Sequence, residues 1–189
     1  MSHKKKHISL EKKQEPTAAK IDDDHRRKLI TLLRSFKTAM FATHSADLRL
    51  RARPMMLAHG GIVSPEQSNE DCVYFATSGD SLKVDEIEVD PRVVLTFQDD
   101  KHFISAAGNA RLVRDRALAS SLWSETWRLW FPKGQSDPNL ALIRVDLDEA
   151  EYWDMGGFTG LAFLFRAARA LLNRERPQSD DGANARVPL

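Results

Sequence analysis

Cysteine is almost missing from this chain of 189 residues, with Cys72 as its single thiol. One cysteine excludes an intrachain disulfide and any zinc or iron–sulfur site built from several thiolates. Cys72 lies in the run Cys72-Val73-Tyr74-Phe75, so it reads as a small buried residue rather than a nucleophile. Long hydrophobic runs are missing too. No stretch approaches the roughly 18 apolar residues of a membrane span, and Lys4, Lys5 and Lys6 are not followed by the apolar core of a signal peptide. The expectation is a cytoplasmic protein with no membrane partner. A charge excess is lacking as well: 28 Lys and Arg face 27 Asp and Glu, for a net charge of +1. That balance supplies no global pull toward nucleic acid, so any charged partner must be recognised locally.

What is present suits one globular domain with short tails, 42% of the residues being apolar. Residues 1–21 are polar and lysine-rich and read as a disordered leader. A domain over 22–155 opens with a helix whose stripe is Leu29, Leu32, Leu33 and Phe36, with Asp22 to Asp24 at its start. The period then falls to two. Ala39 to Ser45 and Arg51 to Leu57 predict a hairpin, Cys72 to Thr77 a third strand, and Ser81 to Val89 a short helix stopped by Pro91. Arg92 to Gln98 and Phe103 to Val113 read as two more strands, with Gly108 at a bulge or tight bend. A long helix is expected from Asp115 to Phe131, with Trp123, Trp127 and Trp130 sharing one side. Leu140 to Leu147 and Ala150 to Asp154 complete the strands. An amphipathic helix over 156–176 and a disordered tail over 177–189 finish the chain. Consecutive short strands joined by hairpin-sized turns predict an α+β fold, a small six- to seven-stranded antiparallel barrel with flanking helices.

Two segments have the composition of an anion site. In Thr77-Ser78-Gly79-Asp80-Ser81-Leu82-Lys83 a strand enters a helix through hydroxyls and a glycine. Free N–H groups, hydroxyl donors and a lysine one turn in would suit a phosphate dianion, though Ser before a helix is also ordinary capping chemistry. The second segment places Arg49, Arg51 and Arg53 at alternate positions before Pro54-Met55-Met56. Period two puts three guanidinium groups on one face, either a solvated surface or an anion site beside an adaptable apolar wall. No metal cluster is visible. His44, His59 and His102 have no evident nucleophile partner.

Arg53-Pro54-Met55, Phe75-Ala76-Thr77-Ser78 entering Ser81-Leu82-Lys83-Val84, Asp90-Pro91-Arg92-Val93, Trp130-Phe131-Pro132-Lys133-Gly134 and Glu151-Tyr152-Trp153-Asp154 follow in this order. In that order they resemble the general stress protein branch of the pyridoxamine 5′-phosphate oxidase-like FMN-binding split barrels, over about residues 22 to 155. The resemblance implies a six-stranded Greek-key split barrel and a homodimer with FMN at each subunit junction, FAD being the alternative cofactor. It implies that Arg53, Ser81 and Lys83 hold the FMN phosphate with help from Thr77 and Ser78, and that Pro54, Met55 and Met56 lie along the isoalloxazine. His102 falls near a polar ring contact of the oxidases. Trp153 matches an aromatic position reaching the flavin from the partner subunit, and Trp130 could do likewise; both could equally be interface core. The position of the oxidases' substrate-contacting lysine is Ala58, and Met155-Gly156-Gly157-Phe158-Thr159-Gly160 replaces their cationic substrate segment, which disfavours vitamin B6 oxidation. The expected role is a flavin-binding stress protein that passes hydride or electrons between FMN and a nicotinamide reductant or small acceptor. The alternative is a non-catalytic module that sequesters FMN or senses its redox state.

Overall fold

A computed structural model describes residues 18–63, 71–155 and 184–189. The elements run α1 (Ala18–Ser35), β1 (Thr38–His44), β2 (Leu50–Val63), β3 (Cys72–Ser78), α2 (Leu82–Val89), β4 (Arg92–Gln98), β5 (His102–Val113), α3 (Arg116–Ser121), a 3₁₀ turn (Glu125–Leu129), β6 (Leu140–Asp154) and β7 (Asn184–Pro188). All pairings are antiparallel, in the order β3-β2-β1-β4-β5-β6, and a further β3–β6 ladder closes these six strands into a barrel. Strand alternation fills it. Ala39 and Phe41 of β1 and Val93, Leu95 and Phe97 of β4 point inward, and Leu29 and Leu33 of α1 cap the same core.

One edge of β6 serves two strands. Cys72 to Ser78 of β3 pair with its first half and Asn184 to Pro188 of β7 with its second. The expected disordered tail is therefore a strand at 184–188. Val187 is 1% exposed, and the β6 edge beyond β3 gives this short segment the ladder partner it needs. The expected break between two late strands is a bulge within one strand. Ala107 faces Glu149 and Gly108 faces Leu147, which leaves Asp148 as the extra residue on β6. Gly108 is required there because a Cβ would lie 2.2 Å from the Asp146 carbonyl oxygen.

The other departure is the long helix. α3 stops at Ser121 and a 3₁₀ turn replaces its continuation; the Trp123 and Trp127 rings still meet edge to face, and Trp127 is 1% but Trp130 58% exposed. Asp115 caps α3 by accepting from the Ala117 and Leu118 N–H groups. The serines at 120, 121 and 124 are weak helix formers that end it early. Helix α1 begins at Ala18, slightly ahead of the expected boundary. The leader up to residue 17 and the expected helix at 156–176 lie outside the described residues.

Candidate functional site

Strands β2 and β3 part company at the site. Their ladder pairs Leu57 with Phe75, and its continuation would set Met56 opposite Ala76, Met55 opposite Thr77 and Pro54 opposite Ser78. Those six residues are unpaired with one another and line a cavity of about 330 Å³, whose far wall is Trp127, Trp130 and Phe131 and whose end is Lys83. Pro54 suits the split, because proline has no N–H to offer a neighbouring strand. The cavity is thus an opened seam of the barrel, apolar along its length and cationic at one end.

At that end the hydroxyl of Ser81, the N-cap of α2, makes no capping bond to its own helix. It lies 3.2 Å from Thr77 Oγ1, and Lys83 Nζ donates to both oxygens, at 3.0 Å to Ser81 and 3.2 Å to Thr77. The cap reading of this serine is set aside by that geometry. Two hydroxyls and an ammonium converge with no acceptor carrying negative charge. Burial, together with the charge of Arg53, pulls the Lys83 ammonium below its ordinary lysine range, against the opposing pull of Glu86. Ser78 borders the cavity, and its own hydroxyl donates to Asp80.

Arg53 reaches the same neighbourhood from β2. Its Nη2 donates to Glu86 Oε2 at 2.8 Å, while its buried Nη1 has no hydrogen-bond partner. Glu86, one turn after Lys83 on α2, also accepts from the Thr43 hydroxyl at 2.7 Å, and Arg51 Nη1 stands 3.5 Å from its second oxygen. Burial pushes this carboxyl up, but the hydrogen bonds from Thr43 and Arg53 and the charges of Arg53 and Arg51 hold it below the usual range. Of the three alternating arginines, Arg51 and Arg53 converge on Glu86, whereas Arg49 precedes the strand and pairs with exposed Asp47. A buried glutamate at the anion end was missed in the sequence. Its only local cue is the i, i+3 spacing from Lys83.

The sequence-derived residues therefore divide. Pro54, Met55, Met56, Thr77, Ser78, Lys83 and Trp130 border one cavity, with Ser81 bonded to it through Thr77 and Lys83 and Arg53 near enough for its charge to act on Lys83. Trp153 is elsewhere in the subunit, half-buried on β6 opposite Phe103 and Asn184. His102 is also elsewhere, its Nδ1 2.9 Å from Asp99 and its Nε2 3.6 Å from Asp154. Trp127 and Phe131, not singled out as site residues, form the wall. The expected all-helical spacing concealed their inward turn.

The outer face of β2-β1-β4-β5 is the second notable surface. The ladders set Leu50, Ala52 and Pro54 beside His44, Ala42 and Met40, and these run on to Val94 and Ala107. Leu50 is 73% exposed, and Met40 and Val94 are 40% exposed. Among the described residues, no helix is long and apolar enough to cross a membrane.

Comparison with known proteins agrees with this architecture. The general stress FMN/FAD binding protein of Xanthomonas citri is 29% identical, with a TM-score of 0.58 over 70% of this chain and 90% of its own. The general stress protein 26 of Bacillus anthracis is 26% identical, with a TM-score of 0.57 over 68% and 93% of the two chains. A pyridoxamine 5′-phosphate oxidase-related, FMN binding protein of Nostoc punctiforme shares the fold at 15% identity, with a TM-score of 0.52 over 94% and 98%. None of the curated proteins matches the chain in sequence. The model of the family described as "Pyridoxamine 5′-phosphate oxidase like" matches residues 24–178, and with the barrel and its opened seam this places the chain in the pyridoxamine 5′-phosphate oxidase-like family.

Proposed function

We propose that the chain binds FMN in the β2/β3 seam, with the phosphate held by Thr77, Ser81, Lys83 and Arg53 and the ring against Pro54, Met55 and Met56. The observation that carries this reading is the orientation of Ser81: its hydroxyl leaves the helix uncapped and joins Thr77 beside Lys83, whose ammonium has only these neutral hydroxyls as partners. The orphaned, buried Nη1 of Arg53 adds a donor in want of a charge. A phosphomonoester carries about two negative charges and three strong acceptor oxygens at neutral pH, the complement of such a set. The fit extends to Trp127 and Trp130, which give a flat ring an aromatic wall. FMN, with its terminal monoester, answers this chemistry more fully than FAD, whose diphosphate is esterified at both ends, and a direct titration of each ranks them.

The apolar outer face of β1, β2 and β4 supports a homodimer, since a contiguous patch of that kind calls for cover. In that assembly Trp153 reaches the flavin across the junction, while Trp130 meets it from its own subunit. A mass measurement in solution tests it, and a monomer at micromolar concentration rejects it.

Bound FMN would supply two-electron chemistry, with the protein contributing position and electrostatics. Lys83 is the one titratable side chain among the described residues lining the cavity, which favours a module that holds flavin or senses its redox state over an enzyme with its own acid or base. Pyridoxamine phosphate oxidation is disfavoured by Ala58, a buried side chain where the oxidases use a lysine. The test is a visible spectrum of the full chain after incubation with FMN. A yellow complex is expected; failure to retain FMN sinks the proposal. Steady oxidation of NADH or NADPH by the loaded protein would then restore the enzymatic reading.

A further inference from the structure

The cations around the Lys83 end of the cavity outnumber the carboxylate they meet. Arg51, Arg53 and Lys83 meet one glutamate, Glu86, whose side chain is 3% exposed. A buried carboxylate is costly to keep unless it is paired and hydrogen-bonded. Glu86 spends one oxygen on Thr43 and Arg53, while its other oxygen has no hydrogen bond and only Arg51 at 3.5 Å. The exposed Asp80 engages the Ser78 hydroxyl instead. Glu86 therefore does two things to Arg53: it fixes one guanidinium nitrogen, leaving Nη1 unspent, and it cancels part of the field that an incoming anion would feel.

Resting on the phosphate reading above, we propose that Glu86 is a positioning residue that sets the strength of the phosphate grip. Among the groups that meet at Glu86, three cations less one carboxylate leave two positive charges facing a phosphomonoester dianion. Without Glu86 there would be three, and the nucleotide would leave more slowly. The carboxylate thus keeps the flavin nucleotide exchangeable while holding Arg53 in place for it.

The experiment compares FMN with riboflavin, which lacks the phosphate, on flavin-free full-length protein by fluorescence titration and stopped-flow dissociation. Glu86→Gln keeps an acceptor for Thr43 and Arg53 but removes the charge. It is expected to bind FMN about five- to tenfold tighter at low salt, chiefly through slower release, with riboflavin unchanged. Arg51→Gln, at a half-exposed side chain, should weaken FMN by a similar factor. The Glu86→Gln/Arg51→Gln double variant restores the charge count and should return FMN affinity to that of the parent, which a merely structural role for Glu86 would not produce. Should Glu86→Gln alone fail to fold, the contrast is read between Arg51→Gln and the double variant, in which the latter must bind FMN more tightly. Phosphate-dependent binding in the parent with no tightening on removal of the Glu86 charge overturns the role of Glu86 alone. Equal affinity of the parent for FMN and riboflavin overturns the phosphate reading and this role with it.

Discussion

The two ends of the β-structure handle charge in opposite ways. Where α1 meets β5 and β6, polar groups have found one another within the subunit, one buried oxygen of Asp71 beside Arg26 excepted. His25 Nδ1 lies 2.6 Å from the buried Tyr152 hydroxyl, Lys28 pairs with Asp154 at 2.8 Å and stands over the Tyr152 ring, and His102 is flanked by Asp99 and Asp154. At the β2/β3 seam, Arg53 keeps an unspent buried nitrogen, and the Lys83 ammonium has only the neutral hydroxyls of Thr77 and Ser81 as hydrogen-bond partners. Equal numbers of charges would not distinguish these regions; their satisfaction does. A completed network spends its interaction energy on folding, and an incomplete one holds it for a ligand.

The strongest way to break the comparison is to remove the wall of the seam. Trp127→Ala, at a fully buried side chain, is expected to cost about 3–5 kcal/mol of stability and to abolish flavin binding, read by denaturant unfolding and FMN titration. Next, Lys83→Ala and Arg53→Ala should each weaken FMN by about 1.5–3 kcal/mol while leaving riboflavin affinity near that of the parent. Unchanged FMN affinity in both would reject the phosphate assignment. At the satisfied end the effect should fall on stability alone: Tyr152→Phe loses the His25 bond and about 1 kcal/mol, with FMN affinity intact, so a matching loss of affinity would erase the distinction between the two regions.

The smallest effect belongs to Asp99. The His102 ring and backbone N–H groups of Lys101 and His102 hold its carboxyl down at about 2. A depressed carboxylate contributes stability that is present above its unfolded pKa and is lost as pH falls through the folded value. Any contribution from Asp99 should therefore fade between about pH 4 and pH 2, where carbon-detected NMR would follow its titration. His102→Ala should move that titration toward the ordinary aspartate range. No movement would show that the backbone alone holds it.

How far the site was legible follows chain distance. Thr77, Ser78, Ser81 and Lys83 sit within seven consecutive residues, so their chemistry could be read locally. Glu86 could not, because the groups that give it meaning, Thr43 and Arg53, are 43 and 33 residues away. Trp127 and Trp130 were assigned to one continuous helix, since a 3.6-residue period was assumed where serines and a 3₁₀ turn intervene. The short run Asn184 to Pro188 carries too little alternation to announce a strand. It becomes one because β6 outlasts β3 along the same edge.

By itself the sequence determined the kind of protein. Period-two runs, turn residues and the single buried thiol specified an antiparallel barrel without disulfides, and its hydroxyl, lysine and arginine segments nominated an anion end. Only the tertiary structure decided that Ser81 abandons its own helix cap, that Glu86 ties Arg53, and that β2 and β3 part beside Pro54, Met55 and Met56. The physical reason is that composition and spacing report local preference, whereas a hydrogen bond left unmade can be recognised only after every other partner in the fold has been placed.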